Sequence, residues 1–251
     1  MQFVITPAAG KRLIALAMKK HPAVKSVLKR GTLVIVAGTT NGYVAAEILR
    51  LLGHKGRFPR RGFIRGVTLP PGAAPRAGNK SEKFPGDVVV RDGKWLPGLT
   101  IFDVLEELRE GDVILKGANA VDLQARQAGV LIGHPQGGTI AAALQAVAGH
   151  RVRLILPVGL EKRVHKSLHE LAAFVNEPGR GGARLLPVPG EVVTELEALQ
   201  LLFGVRAELV AAGGVGGAEG AVWLALDGSR EKLARVKKII SSIGAEPPFD
   251  F

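Results

Sequence analysis

The chain has 251 residues, of which 47% are hydrophobic and 22% charged, and this composition excludes an intrinsically disordered protein. Cysteine is absent, which excludes disulfides, thiolate metal sites, iron–sulfur clusters and thiol nucleophiles. The formal net charge is +12, and residues 1–85 hold 16 Lys and Arg against two Glu, so the first third of the chain carries the whole excess and is expected to meet an anion.

The longest uncharged run lies between Arg126 and Arg151. Its centre, Gly-His-Pro-Gln-Gly-Gly, would leave backbone polar groups without partners in lipid, so we expect buried core and no membrane partner. The N-terminal residues show no basic segment followed by a long apolar stretch, which predicts a cytoplasmic protein without a signal peptide. With four Asn and six Gln, the chain is also poor in thermolabile residues, a weak hint of a thermophilic source.

The first strand–turn–helix pattern follows a predicted N-terminal helix. Thr6 and Pro7 are typical of a helix start, with a capping hydroxyl followed by proline at the first helical position. Residues 32–37 form an apolar run without alternation, as expected for a strand buried on both faces. A turn at 38–42 follows, and a helix is predicted over 43–52.

A segment rich in proline and glycine interrupts this pattern. Residues 69–86 contain four prolines, which predicts a mobile loop. Beyond it, Asp92 and Gly93 separate two short apolar segments, a strong signal for a two-residue β-hairpin. We therefore predict an insertion with a hairpin at about 66–98.

Strand and helix patterns then alternate along the chain. The predicted strands lie at 112–115, 130–132 and 152–158, and the predicted helices at about 101–108, 140–147 and 164–174. Repeated strand–turn–helix units with buried-type strands predict an α/β fold with a Rossmann-like open parallel sheet and helices on both faces. We assign this ligand-binding domain to residues 1–184.

The order of elements changes in the last quarter of the chain. Thr194 and Glu197 form a capping-box pattern at the start of an amphipathic helix. The predicted elements are, in order, a strand at 185–188, that helix, strands at 207–211 and 221–226, and a helix at 229–243. The order βαββα predicts a ferredoxin-like α+β domain over 185–251.

The turn after the first buried strand is the strongest candidate for chemistry. Small residues there let backbone N–H groups point at a ligand, and the N-terminus of the following helix adds positive potential. The candidate anion-binding residues are Gly38, Thr39, Thr40, Asn41 and Gly42. Their spacing matches neither a Walker loop nor a dinucleotide fingerprint, and an ordinary tight strand–helix turn is the alternative interpretation.

Two polar residues fall at the predicted C-terminal ends of strands, where ligands bind in open α/β sheets. Lys116 is a candidate to neutralise a phosphate or carboxylate, or to act as a nucleophile, and His134 is a candidate acid–base group. A solvated lysine and a turn histidine held by the backbone are the alternatives. The further candidate ligand-binding residues nearby are Asn119, Asp122, Gln136, Gly137, Gly138 and Thr139.

Residues 31–40, Gly-Thr-Leu-Val-Ile-Val-Ala-Gly-Thr-Thr, followed by an apolar helix, resemble the phosphate loop of ribose-phosphate isomerases and their relatives. That superfamily includes glucosamine-phosphate deaminases, acyl-CoA transferases and lactate-utilisation proteins. Residues 112–122 resemble its second hallmark, a strand ending in a Gly-Ala turn, and the glycines at 133–138 fall where it carries a glycine cluster. The resemblance covers about residues 10–170 without 54–100, and it implies the fold and an anionic small ligand.

The chain departs from that pattern in its acidic residues. Lys116 and Asn119 stand where the isomerase pattern has acidic side chains, and Asp122 is the position that agrees. No Glu occurs between Arg126 and Arg151, where a general base is expected. The resemblance therefore implies retained binding with altered chemistry.

A basic tract at 54–65 holds four arginines interleaved with two phenylalanines. Arginine forks clamp phosphates and aromatic rings stack bases, so Arg60 and Arg61 are candidate ligand contacts. The alternative is a solvated connection whose two aromatic rings anchor it to the body of the protein.

Together these patterns predict a protein that binds a phosphorylated or carboxylated metabolite at the C-terminal edge of the sheet. A sugar phosphate, a nucleotide and a CoA ester all fit, and isomerase- or transferase-like activity stays open. We expect no cofactor, no metal site and a homo-oligomer. The alternatives are nucleic-acid binding through the basic first third, and a non-catalytic regulatory or assembly role.

Overall fold

The computed structural model describes residues 1–56, 58–65 and 84–249, which form a mixed α/β protein with three sheets. The strands are β1 (Gln2–Ile5), β2 (Thr32–Ile35), β3 (Val88–Arg91), β4 (Lys94–Leu96), β5 (Val113–Leu115), β6 (Ala120–Asp122), β7 (Gln127–Ile132), β8 (Arg153–Pro157), β9 (Arg184–Val188), β10 (Glu191–Val193), β11 (Arg206–Ala212) and β12 (Val222–Asp227). The helices are α1 (Pro7–Met18), α2 (Pro22–Val27), α3 (Thr39–Leu51), α4 (Ile101–Val104), α5 (Gly138–His150), α6 (Leu168–Val175), α7 (Glu195–Phe203) and α8 (Arg230–Ile243).

The largest sheet has six strands in the order β10–β8–β5–β2–β3–β4. The first four run parallel, and the hairpin β3–β4 adds antiparallel to β2. Alternate residues of β2 enter two different apolar clusters, Leu33 on one face and Val34 on the other, because the strand is buried on both faces. The α/β class and a mostly parallel central sheet are thus confirmed.

The predicted hairpin is present at β3–β4. Asp92 and Gly93 have φ angles of 48° and 77°, the left-handed pair that a tight two-residue turn with matching twist requires. Residues 69–83 of the proline-rich loop predicted at 69–86 lie outside the described residues. The hairpin itself extends the main sheet next to β2.

The strand predicted at 130–132 does not join the parallel sheet. It belongs to β7, which pairs antiparallel with β6 and β9 in a separate three-stranded sheet. β5 and β8 pair directly with each other and leave no place between them. The prediction was wrong because an apolar run shows that a strand is buried but not which strand it pairs with.

The strands predicted as a ferredoxin-like domain over 185–251 do not pair with one another as one sheet. β9 pairs with β7, while the third sheet has the order β1–β12–β11 and includes the N-terminal strand, which was not predicted. Helix α1 packs against α7 and α8. The N-terminal elements β1 and α1 therefore pack with elements from beyond the predicted domain boundary at 184. Strand partners are set by long-range packing, which local sequence does not show.

The predicted helix starts are confirmed where a capping side chain is present. Thr6 accepts a hydrogen bond from the Ala9 N–H, and Thr194 with Glu197 forms the capping box of α7. A second capping box, Thr100 with Asp103, opens the short helix α4. No described helix is long and apolar enough to cross a membrane.

Candidate functional site

A cleft of about 420 Å³ opens beside the carboxyl end of β5. The turn between β5 and β6, the end of β7 and the first residues of α5 line it, together with Arg65 and Phe102. Most of the lining is apolar, with a few polar groups that converge on the same space. This is the usual character of a small-molecule site.

Six of the predicted site residues line this cleft, namely Lys116, Asn119, His134, Gly137, Gly138 and Thr139. They meet because the hairpin β6–β7 brings the end of β7 back beside the end of β5. Asn119 shows this connection, since its backbone N–H donates to the Gly129 carbonyl at 2.8 Å and its Oδ1 accepts from the Leu131 N–H at 3.0 Å. The structure therefore brings these six residues together, and their binding of a ligand stays a prediction.

Lys116 is buried, with 9% of its surface exposed. Among the described residues its ammonium group has one hydrogen bond, a long one of 3.5 Å to the Gly117 carbonyl, and no carboxylate within 4.0 Å. Burial lowers the pKa of Lys116 to about 8, the charge of Asp87 opposes this shift, and Lys162 and Arg65 reinforce it. The cleft thus contains a cation that the described protein groups compensate only in part.

Asp87 is the carboxylate whose charge raises the pKa of Lys116, and its side chain is fully buried. It accepts hydrogen bonds from the Ala37 N–H at 2.9 Å and the Ile101 N–H at 2.8 Å, and the Arg65 Nε lies 3.4 Å away. The carboxylate of Asp87 therefore accepts hydrogen bonds from two backbone amides, and its charge acts on two cations, Arg65 and Lys116. The sequence analysis missed Asp87, although a carboxylate directly before a buried strand is a usable signal.

Helix α5 begins at the cleft without a capping side chain and without an acidic residue in its first turn. The residue before it, Gly137, has a φ of 79°, and a Cβ there would lie 2.8 Å from the Cβ of Ala141. Only glycine fits this position. The uncapped N–H groups and the positive end of the helix favour an anion in the cleft.

His134 is an exposed residue of the turn that leads into α5. Its Nδ1 accepts a hydrogen bond from the Gln136 N–H at 3.2 Å, which assigns the proton of the neutral ring to Nε2. Arg184 donates to the His134 carbonyl at 2.9 Å and holds the turn. Gln136 contributes this backbone contact but does not line the cleft.

The predicted cradle at 38–42 lies outside the residues that line the cleft. The Asn41 side chain donates to the carbonyls of Val36 and Leu115, at 2.8 and 2.9 Å, and so ties β2 to β5. Within the described residues, the buried Thr40 Oγ1 and Asn41 Oδ1 have no hydrogen-bond partner. Anion binding by this turn stays a prediction.

Three other predicted ligand contacts lie away from the cleft. Arg60 contacts Glu246 at 3.1 Å and its guanidinium lies 4.1 Å from the centre of the Tyr43 ring. Arg61 is exposed next to it. Asp122 accepts hydrogen bonds from two N–H groups of its own hairpin turn, at 3.0 Å each. The structure brings none of these three side chains to the lining of the cleft.

Two partly or fully buried ionisable groups near the main sheet were also missed. Lys162 donates to the Ala118 carbonyl at 2.8 Å, and Glu195 accepts from the Leu160 N–H at 2.9 Å. Burial raises the pKa of Glu195 to about 8, and the charge of Glu161 adds to this shift. Neither residue lines the cleft. Their burial comes from packing against α1, which local sequence does not indicate.

Protein-family models, curated proteins and solved structures offer no match to this chain. The resemblance to ribose-phosphate isomerases therefore stays a prediction. Function has to be argued from the cleft and from the charges that surround it.

Proposed function

We propose that the protein binds a small phosphorylated or carboxylated metabolite in the cleft beside β5. The observation that carries the proposal is the buried ammonium group of Lys116, which has no carboxylate within 4.0 Å among the described residues. Burying a cation without a partner costs free energy, and a bound anion removes that cost. Arg65 and the first turn of α5 face the same space and add donors for the anion.

The size of the cleft narrows the ligand class. Ligand pockets span about 300–1,000 Å³, and the cleft, at about 420 Å³, lies near the lower end of that range. A sugar phosphate or a short carboxylic acid fits this volume better than a nucleotide or a CoA ester. We also propose that the main sheet and its helices form a Rossmann-like domain, and that the chain is related to sugar-phosphate isomerases.

Each polar group of the cleft has a role in this proposal. Lys116 and Arg65 bind the charge of the anion, and Asn119 and Thr139 donate hydrogen bonds to its oxygen atoms. His134 exchanges a proton with the ligand through Nε2.

A thermal-shift comparison tests the proposal. Ribose 5-phosphate and malonate should raise the melting temperature, whereas ribose, the neutral counterpart, should not. A ligand at a hundred times its Kd adds roughly 2.7 kcal/mol to the free energy of unfolding. The shift should disappear in Lys116→Met and persist in Lys94→Met, because Lys94 is exposed on β4. No shift with either anion would contradict the proposal.

The nucleic-acid alternative rests on the basic first third, where several cations contact carboxylates from elsewhere in the chain. Arg12 and Arg60 both contact Glu246, at 2.9 and 3.1 Å, and Lys11 contacts Glu161 at 3.3 Å. Cations paired in this way are less available to phosphates. A steep fall of RNA affinity with salt would restore the alternative. Light scattering would test the predicted homo-oligomer.

A further inference from the structure

We propose that Lys116 forms an imine with an aldehyde or ketone group of the ligand, so that the cleft selects small carbonyl compounds that carry a phosphate or carboxylate. The inference rests on the proposed function, because the anionic group must be held while the carbonyl group reacts. It goes beyond binding, since it assigns a covalent step to one atom, Lys116 Nζ.

The surroundings of Lys116 differ from those of Lys11, which is buried, and Lys19, which is half-buried. Lys11 contacts Glu161 at 3.3 Å and Lys19 contacts Glu47 at 2.6 Å, so each of these two amines is paired with a carboxylate. Lys116 lines the cleft and has only the long hydrogen bond to a carbonyl among the described residues. Its amine is therefore desolvated and not paired with an acid, on a residue that lines the space for a ligand.

The charge state of Lys116 suits nucleophilic attack. Because burial lowers its pKa to about 8, about a tenth of the amine is neutral at pH 7, against roughly one part in 3,000 at the ordinary lysine pKa of 10.5. Desolvation and a neighbouring cation are the two established ways to activate a lysine, and Lys162 and Arg65 supply the cations here.

The step needs no co-reactant. The lone pair of the neutral amine attacks the carbonyl carbon, a C–N bond forms, and the carbonyl electron pair moves to the oxygen, which takes up the proton that the nitrogen releases. The carbinolamine then loses its hydroxyl group as water, and the nitrogen lone pair completes the C=N bond. The departing hydroxyl group takes up a proton from solvent while His134 Nε2–H donates a hydrogen bond to it, and Arg65 holds the anionic group. The positive charge of the resulting iminium replaces that of the ammonium near Asp87.

Reductive trapping tests the imine directly. The full-length protein is incubated with sodium cyanoborohydride and one of three probes: dihydroxyacetone phosphate, pyruvate, or neutral dihydroxyacetone. Intact mass and peptide mapping should show a single adduct on Lys116 with an anionic probe, at least tenfold more than with dihydroxyacetone. The more reactive of the two anionic probes distinguishes phosphate from carboxylate. Inorganic phosphate should suppress the adduct.

Two matched variants control for surface amines. Lys116→Arg keeps the charge and should lose the adduct, with its circular dichroism spectrum used to confirm folding. Lys94→Arg removes an exposed amine and should leave the adduct unchanged. Adducts spread over exposed lysines to the same extent in Lys116→Arg would overturn the imine.

The outcomes separate this inference from the proposed function. A melting-temperature shift with dihydroxyacetone phosphate but no Lys116 adduct would overturn the imine and leave anion binding standing. Neither a shift nor an adduct with either anionic probe would overturn both. A Lys116 adduct that forms equally well with dihydroxyacetone would contradict the selection for anions.

Discussion

Helices α3 and α5 both begin without a capping side chain, yet only one of them opens on the cleft. At the start of α3, the segment 58–65 packs against Gly42, and the side-chain amide of Asn41 donates hydrogen bonds to two backbone carbonyls. At the start of α5, Lys116 and Arg65 share the space with the uncapped turn. Whether the start of a helix is open to a ligand therefore depends more on the chain packed around it than on the local sequence of the turn.

The charges of the two regions differ in the same way. Near α3, Arg12 contacts both Glu47 and Glu246, and Arg60 also contacts Glu246, so cations and carboxylates compensate one another. At the cleft, Asp87 contacts Arg65 and its charge acts on Lys116, but this carboxylate already accepts hydrogen bonds from two backbone amides. Four substitutions test whether this contrast is real.

The largest expected effect comes from Asp87→Ala, which removes the carboxylate next to the cleft. It leaves two buried N–H groups without their acceptor and removes the negative charge that acts on Arg65 and Lys116, and it should lower the free energy of unfolding by about 3–5 kcal/mol. Asp103→Ala, which removes an exposed capping carboxylate, should cost about 1 kcal/mol. Urea denaturation measures both. Equal losses of unfolding free energy in the two variants would show that Asp87 does not stabilise the cations at the cleft more than an exposed capping carboxylate stabilises its helix.

Lys116→Met should have the opposite effect on stability. Removing the partly compensated charge should raise the free energy of unfolding at pH 7 by about 1–3 kcal/mol and abolish the response to ribose 5-phosphate. The native protein should gain stability as the pH rises from about 8 to 10.5, because the unfolded lysine keeps the proton that the folded one has lost. The variant should lack this gain. A variant less stable than the native protein at pH 7 would contradict the account of the site.

Glu246→Gln tests the closed network near α3. It should lower the free energy of unfolding by about 1–2 kcal/mol, because Arg12 and Arg60 lose a shared carboxylate, and it should leave the response to ribose 5-phosphate unchanged. Burial alone would raise the pKa of Glu246, but hydrogen bonds and charges of the two arginines lower it overall. Its stabilisation is therefore present above pH 4.5 and lost as the pH falls through the folded pKa. Glu208→Gln, in an exposed pair, should change stability by less than about 0.5 kcal/mol.

The smallest effect on stability is expected from Thr139→Glu, which places a carboxylate in the first turn of α5. The added charge should stabilise the helix by about 0.5 kcal/mol and weaken the binding of ribose 5-phosphate roughly tenfold, because it competes for the same N–H groups and cations. Thr139→Gln matches the size of the glutamate without its charge and replaces the hydroxyl donor of Thr139 with an amide N–H donor, so neither effect should appear. Calorimetric titration and urea denaturation give the two readouts. Unchanged binding in Thr139→Glu would place the anion elsewhere.

The amino-acid sequence was sufficient to predict the features that depend on residues close together along the chain. The capping residues of α1 and α7, the turn of Asp92 and Gly93, and the buried character of β2, β5 and β8 follow from patterns a few residues long. The same holds for Lys116 and for the glycines before α5, which are recognisable because they follow strands or precede a helix. These features were predicted because local backbone preferences and hydrophobic periodicity act within a few residues.

The contacts between elements that are distant along the chain are visible only in the tertiary structure. It paired β1 with β12 and β7 with β9, placed Asp87 and Arg65 beside Lys116, and neutralised Arg60 with Glu246, 186 positions away along the chain. Whether a cation is compensated, and whether a turn is covered, depends on desolvation and on partners that are distant in sequence. Those energies arise only when the chain has packed, so local patterns do not contain them.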